Sequence, residues 1–229
     1  MGSYLQSCGI NMGDDLVGAA KGNKFGHFED IRFVELHKKS LLRNKSHMYS
    51  PAHNLIFSQN EITEAKKIVS DRNEKYQHWG WKDPRSSLYL KDWYAIEPGI
   101  KFIFLYRHPM SVIDSLVRRA TDRRLKVLPW QAATAWIRYN EEILSFYKSH
   151  IDNCILININ NFNETHNEST VILENWLGLK LPEPYTDVYH PGEISTGSTN
   201  NKILYKLISK IYYKKLSHIF SELEAFSKI

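Results

Sequence analysis

The stretch KFIFLYRHPMSVIDSLVRR, residues 101–119, joins two patterns at one arginine. Phe102 to Tyr106 is an unbroken apolar run of strand length, and Arg107 ends it. Pro109 then opens a helical pattern in which Ile113, Leu116 and Val117 mark one stripe, with Ser115 on its border. A continuous apolar run is what a strand covered on both faces requires, as in a parallel sheet. Ligands of such sheets bind beyond the carboxyl ends of the strands, which is where Arg107 stands. A guanidinium grips a phosphate with two parallel hydrogen bonds. A helix beginning at Pro109 presents backbone N–H groups to an anion, and the Ser115 hydroxyl could reach the same anion from the side. The plainer alternative is that Arg107 pairs with a nearby carboxylate and Ser115 is incidental.

Working outward, two more short runs read as strands, HWGWK (78–82) and NCILINI (153–159). Helices are predicted between and around them. The first covers residues 3–8 and stops at Gly9, and the second covers 31–43 with Asp30 as cap. A third covers 60–77 with Asn60 as cap, followed by 86–95, 109–121 and the aromatic-rich segment from Pro129 to His150. The last two run over 168–177, ending at Gly178, and 201–227. Residues 10–29, rich in Gly, Asn and Asp, read as loop. Strands alternating with helices predict an α/β fold, with helices on both faces of a parallel sheet, in a single domain over residues 1–229.

The 229 residues are 42% hydrophobic and 24% charged, ordinary for a globular domain with a sizeable core. The net charge of +5 favours anionic partners. No apolar run approaches the roughly 20 residues of a membrane-crossing helix, so no membrane span is expected. The start, MGSYLQSCGINMGDD, has no basic segment followed by an apolar one. A cytoplasmic protein is therefore expected, with Cys8 and Cys154 as reduced thiols. No His/Cys/Asp cluster has metal-ligand spacing, so no metal is implied. The sequence GxxxxGK[ST] of nucleotide kinases is absent, and nothing but basic charge speaks for nucleic acid, so neither is expected as function or partner.

The segment YRHPMSVIDS (106–115) resembles the 3'-phosphate-binding segment of sulfotransferases that use 3'-phosphoadenosine 5'-phosphosulfate (PAPS). In that family an Arg ends a strand and a Ser eight residues on completes the grip, and Arg107 and Ser115 match both types and spacing. GWKDPRSSLYL (80–90) resembles a segment whose Lys sits at a strand end near the transferred sulfuryl group, and Lys82 matches it. A point cation there would stabilise charge building on the bridging oxygen as the S–O bond breaks. Asp83 and Arg85 read more simply as an ion pair bracing the loop. GHFED (26–30) resembles the segment carrying the acidic base of relatives that use Glu. Glu29 is the first candidate to accept the acceptor's proton and His27 the second. The competing reading makes Glu29 and Asp30 cap and first-turn acids of the next helix. The aromatic residues of WIRYNEEIL (136–144) are read as core.

The resemblance covers about residues 9–160 and implies a three-layer sheet like that of P-loop nucleoside triphosphate hydrolases. It also implies PAPS as co-substrate and a small-molecule, glycan or peptide acceptor. The family opens with an apolar strand and a loop like P-[KR]-S-G-T-[ST] that cradles the 5'-phosphosulfate. This sequence does not contain that loop, and Met1 to Cys8 resembles the end of the helix after it. The expectation is a sheet without its first strand. The alternative function is a non-catalytic relative that binds a nucleotide or anion. GEISTGSTNNK (192–202) is the one counterpart for the family's late 3'-phosphate loop, and it reads more simply as plain loop. RRATDRRLK (118–126) has five basic residues in nine. It could line an entrance for anions or be a solvated helix end. Lys202, Lys206, Lys210 and Lys214 recur every fourth residue beside Ile203, Leu207, Ile208 and Ile211. This predicts a helix packed on the sheet with a lysine-rich outer face, a membrane-surface helix being the other reading.

Overall fold

The computed structural model describes residues 1–18, 28–119, 123–182 and 202–229. They form two compact units. The first comprises Met1–Met48 and Ala52–Ile100, with the described stretch that begins at Lys180. The second is built on Lys101–Leu179 and the C-terminal helix.

The first unit opens with helix α1, Gly2–Ser7. Gly9 ends it at φ +88, a conformation that suits a residue without Cβ. Gly9 N–H bonds Gln6 O and Ile10 N–H bonds Leu5 O, so two otherwise unpaired helix carbonyls are satisfied. Helix α2, Ile31–Arg43, begins at Asp30, whose side chain accepts from Arg32 N–H at 2.9 Å. Helix α3, Gln59–Lys75, is capped by Ser58 rather than the expected Asn60. The Ser58 hydroxyl accepts from Glu61 N–H, and the Glu61 carboxylate reaches back to Ser58 N–H at 2.7 Å. That reciprocal pair outcompetes the lone asparagine two positions on. A 3₁₀ turn, Pro84–Leu88, leads into α4, Leu90–Ile96, in place of one helix over 86–95. Phe33, Phe57, Tyr89 and Trp93 are buried at the centre, with Phe33 stacked on the half-buried Trp81 at 4.2 Å between centroids.

The predicted strand over 78–82 does not form. A single parallel bridge joins Asn11 to Trp79, through Asn11 N–H to His78 O and Gly80 N–H to Asn11 O. Pro84 and the Asp83 cap then turn the chain before a ladder can extend.

In the second unit β1, Phe102–Tyr106, is followed by α5, Pro109–Arg119. The crossover continues through α6, Arg123–Val127, and α7, Gln131–Ser149, to β2, Cys154–Asn158. β2 pairs with β1 in parallel, from Phe102 opposite Cys154 to Tyr106 opposite Asn158. Helices α8, Ile159–Glu164, α9, His166–Leu177, and α10, Lys202–Phe226, complete the unit. Gly178 closes α9 at φ +72. Among the described residues the sheet is two-stranded and the fold is mixed α/β.

Every residue of β2 is buried, and the segment after α10 satisfies its second edge: Lys228 N–H bonds Leu156 O and Asn158 N–H bonds Ile229 O. β1 differs from the doubly covered strand expected. Phe102, Phe104 and Tyr106 are buried, while Leu105 is 39% exposed. On α10, Ile208 is buried, as expected, but Leu207 and Ile211 are exposed among the lysines. The side chain of Ile203 lies outside the described residues. Of the aromatic residues read as core in α7, Trp136 is buried and Tyr139 only half-buried.

Candidate active site

Glu29 is fixed by the backbone around it. Leu16 bridges Asp30, Val17 N–H bonds Glu29 O at 2.8 Å, and Ile31 N–H bonds Asp15 O at 2.9 Å. Phe28, just before it, sits at φ +51, a sparsely populated conformation for a bulky residue. Asp30 takes the capping role and also pairs with Arg72 of α3. Glu29 is thereby left to point elsewhere.

It points at two cations. Lys82 Nζ donates to Glu29 Oε1 at 2.8 Å, and Arg85 donates to Oε2 at 3.1 Å. The Lys82 side chain is 40% exposed, while those of Glu29 and Arg85 are largely covered. The proposed base and the proposed electrophilic lysine thus meet, although they lie 53 positions apart in the chain.

A buried polar chain continues behind them. Arg85 Nε donates to Asp83 Oδ1 at 2.8 Å, and Arg85 N–H donates to the same oxygen at 2.9 Å. This is the expected brace between Asp83 and Arg85. Asp83 Oδ2 lies 2.8 Å from His37 Nδ1, and Trp93 Nε1 donates to His37 Nε2 at 3.1 Å. An indole N–H can only donate, so Nε2 must be the accepting nitrogen. That assigns a proton to Nδ1, which donates to Asp83. Burial raises the Asp83 carboxyl, but His37 and Arg85 outweigh it and hold the group below the usual carboxylate range.

Sequence reasoning missed His37 and Trp93. His37 falls on the apolar face of α2 with Phe33, Val34 and Leu36. A polar residue on such a face signals a buried partner, but not which one.

Arg107 and Ser115 belong to the second unit. Arg107 is the first residue after β1 and is half-buried. Ser115 is the seventh residue of α5, half-buried, next to buried Ile113 and Asp114. The His108 carbonyl accepts from Ser111 N–H at 3.0 Å and Val112 N–H at 3.3 Å. Part of the donor set expected for an anion at the start of α5 is therefore used within the first turn. Asp114 and Arg118 form an i,i+4 pair at 3.7 Å, and Arg123, Arg124 and Lys126 are exposed. That suits the solvated-helix-end reading of this basic segment.

His27 and residues 192–201 lie outside the described residues. Among the described residues no group of three or more His, Cys, Asp or Glu is placed to hold a metal. No described helix is long and apolar enough to cross a membrane.

No family model matches this sequence, and no curated protein matches it. Among solved structures the chain is similar to the sulfotransferase domain from the curacin biosynthetic pathway. The TM-score is 0.49 and the identity 17%, over 97% of this chain and 83% of that one.

Proposed function

We propose that the chain is a sulfotransferase of the PAPS-dependent kind, acting on a hydroxyl or amine acceptor in a fold of the P-loop type. The observation that carries the reading is the meeting of Glu29 and Lys82 at 2.8 Å. A prospective base and a prospective electrophile from two separate resembling segments converge in space. The strand-ending Arg107, with Ser115 eight residues later, is the second support.

In this reading Arg107 and Ser115 hold the donor's 3'-phosphate through charge-assisted hydrogen bonds. The acceptor oxygen or nitrogen attacks sulfur in line, and its proton passes to Glu29. The S–O bond to the 5'-phosphate breaks, leaving adenosine 3',5'-bisphosphate. An ammonium has three N–H donors. One of those on Lys82 is directed at Glu29, and another would meet the bridging oxygen as charge develops there. Arg85 positions the Glu29 carboxylate from its second oxygen.

Replacement of Arg107 by Ala tests the donor site. The variant should lose preference for nucleotides bearing a 3'-phosphate, by about tenfold or more, as expected for a charge-assisted contact. Unchanged PAPS binding, measured by equilibrium dialysis, would refute the assignment.

A second reading, nucleotide binding without transfer, draws on the engagement of both Glu29 oxygens by cations. Release of bisphosphate from PAPS that depends on an added acceptor and disappears in Glu29→Gln excludes it. Tight nucleotide binding without transfer to any hydroxyl or amine establishes it.

A further inference from the structure

Helix α10 turns apolar side chains in two directions. Ile208, Leu216, Ile219 and Leu223 are buried and pack the helix onto its own unit. Leu207 and Ile211, one turn apart, face away at 53% and 63% exposure. At 3.6 residues per turn Lys206, Lys210 and Lys214 form the neighbouring ridge, and Lys215 follows Ile211 on the ridge of Leu207. All four lysines are exposed. Glu141 meets Lys215 at 2.8 Å as well as Arg138, Glu142 meets Arg138, and Glu222 meets Lys148 at 2.9 Å.

A lysine-rich outer face in water needs no leucine and isoleucine standing in it. The pattern of exposed Leu and Ile bordered by Lys214 on one side and Lys215 on the other is that of a helix lying in a membrane interface. The apolar side chains enter the acyl boundary and the lysines reach anionic headgroups. We propose that this face of α10 docks the protein on an anionic phospholipid surface. Charge decides between occupants: a second copy would set the same lysine ridge against itself across a two-fold axis, whereas an anionic bilayer complements it.

The inference is independent of the catalytic reading. The test is co-sedimentation of the whole chain with vesicles of phosphatidylcholine alone and with vesicles that also contain phosphatidylserine. Binding is expected to the mixed vesicles and to weaken with salt. Each lysine near such a surface is worth about fivefold, so Lys210→Glu with Lys214→Glu should weaken binding by well over tenfold. Leu207→Gln with Ile211→Gln should weaken it by about tenfold. These side chains are exposed, so circular dichroism should find both variants folded. Failure to sediment with the mixed vesicles overturns the proposal. So does binding that survives the Leu207/Ile211 change, which would be charge attraction without a docked helix. Self-association in velocity sedimentation that the same change abolishes, in a protein that ignores vesicles, would give the face to a second copy.

Discussion

Asp83 accepts from His37 on one oxygen and from both the backbone and the side chain of Arg85. Its charge is buried and fully enclosed. Removing one partner of such a pair leaves the other uncompensated, so Asp83→Asn should destabilise the first unit by about 3 kcal/mol at neutral pH. The pH dependence follows from the depressed carboxyl. The folded state binds this proton less readily than the unfolded chain, whose carboxylate titrates near about 3.9. The contribution is therefore complete above that value and is lost as pH falls through the lower, folded value. Urea midpoints measured from pH 7 to pH 2 should show this loss in the wild type and a smaller one in Asp83→Asn. Parallel curves would contradict the assignment. The sequence made the Asp83–Arg85 brace legible because two opposite charges flank a proline. It made Glu29 and Lys82 candidates only through resemblance, and it was silent about His37, because a histidine's partner is set by tertiary packing.

Among elements, the strands at 102–106 and 154–158 are legible in the sequence as the runs 101–106 and 153–159, because so short and continuous an apolar run between predicted helices has few other uses. HWGWK misled for an instructive reason. Its aromatic residues suit a strand, yet a strand needs a neighbour, and here the neighbour offers one residue, Asn11. The start of α3 was misread by two residues because Asn60 and Ser58 are both good caps. What separates them is Glu61, three residues after Ser58. Glu61 is buried and also pairs with Arg43 at 3.0 Å, so this cap ties α3 to α2. Ser58→Ala should cost about 1 kcal/mol, read as a shift in denaturant midpoint, and Asn60→Ala should cost a few tenths at most. The reverse order would contradict the capping assignment. The two directions taken by α10's apolar residues were not legible, since periodicity does not tell which of two adjacent stripes is covered.

At the scale of the whole molecule, both cysteines are buried. The Cys8 thiol donates to Pro182 O at 3.3 Å, and Cys154 lies within β2, where burial pushes its thiol up to about 12. The thiolate is the reactive form. Intact protein at pH 8 should therefore react with a disulfide reagent far more slowly than a free thiol, and unfolding should release two equivalents. Fast modification of either cysteine in the native state would contradict the packing of its unit.

The central claim concerns nucleotide recognition, and one calorimetric titration tests it most directly. The whole chain is titrated with adenosine 3',5'-bisphosphate, with ADP as the control that lacks the 3'-phosphate. The account predicts a micromolar dissociation constant, about −8 kcal/mol, that ADP does not approach. Equal affinity for the two nucleotides, or no binding of either by folded protein, would contradict it.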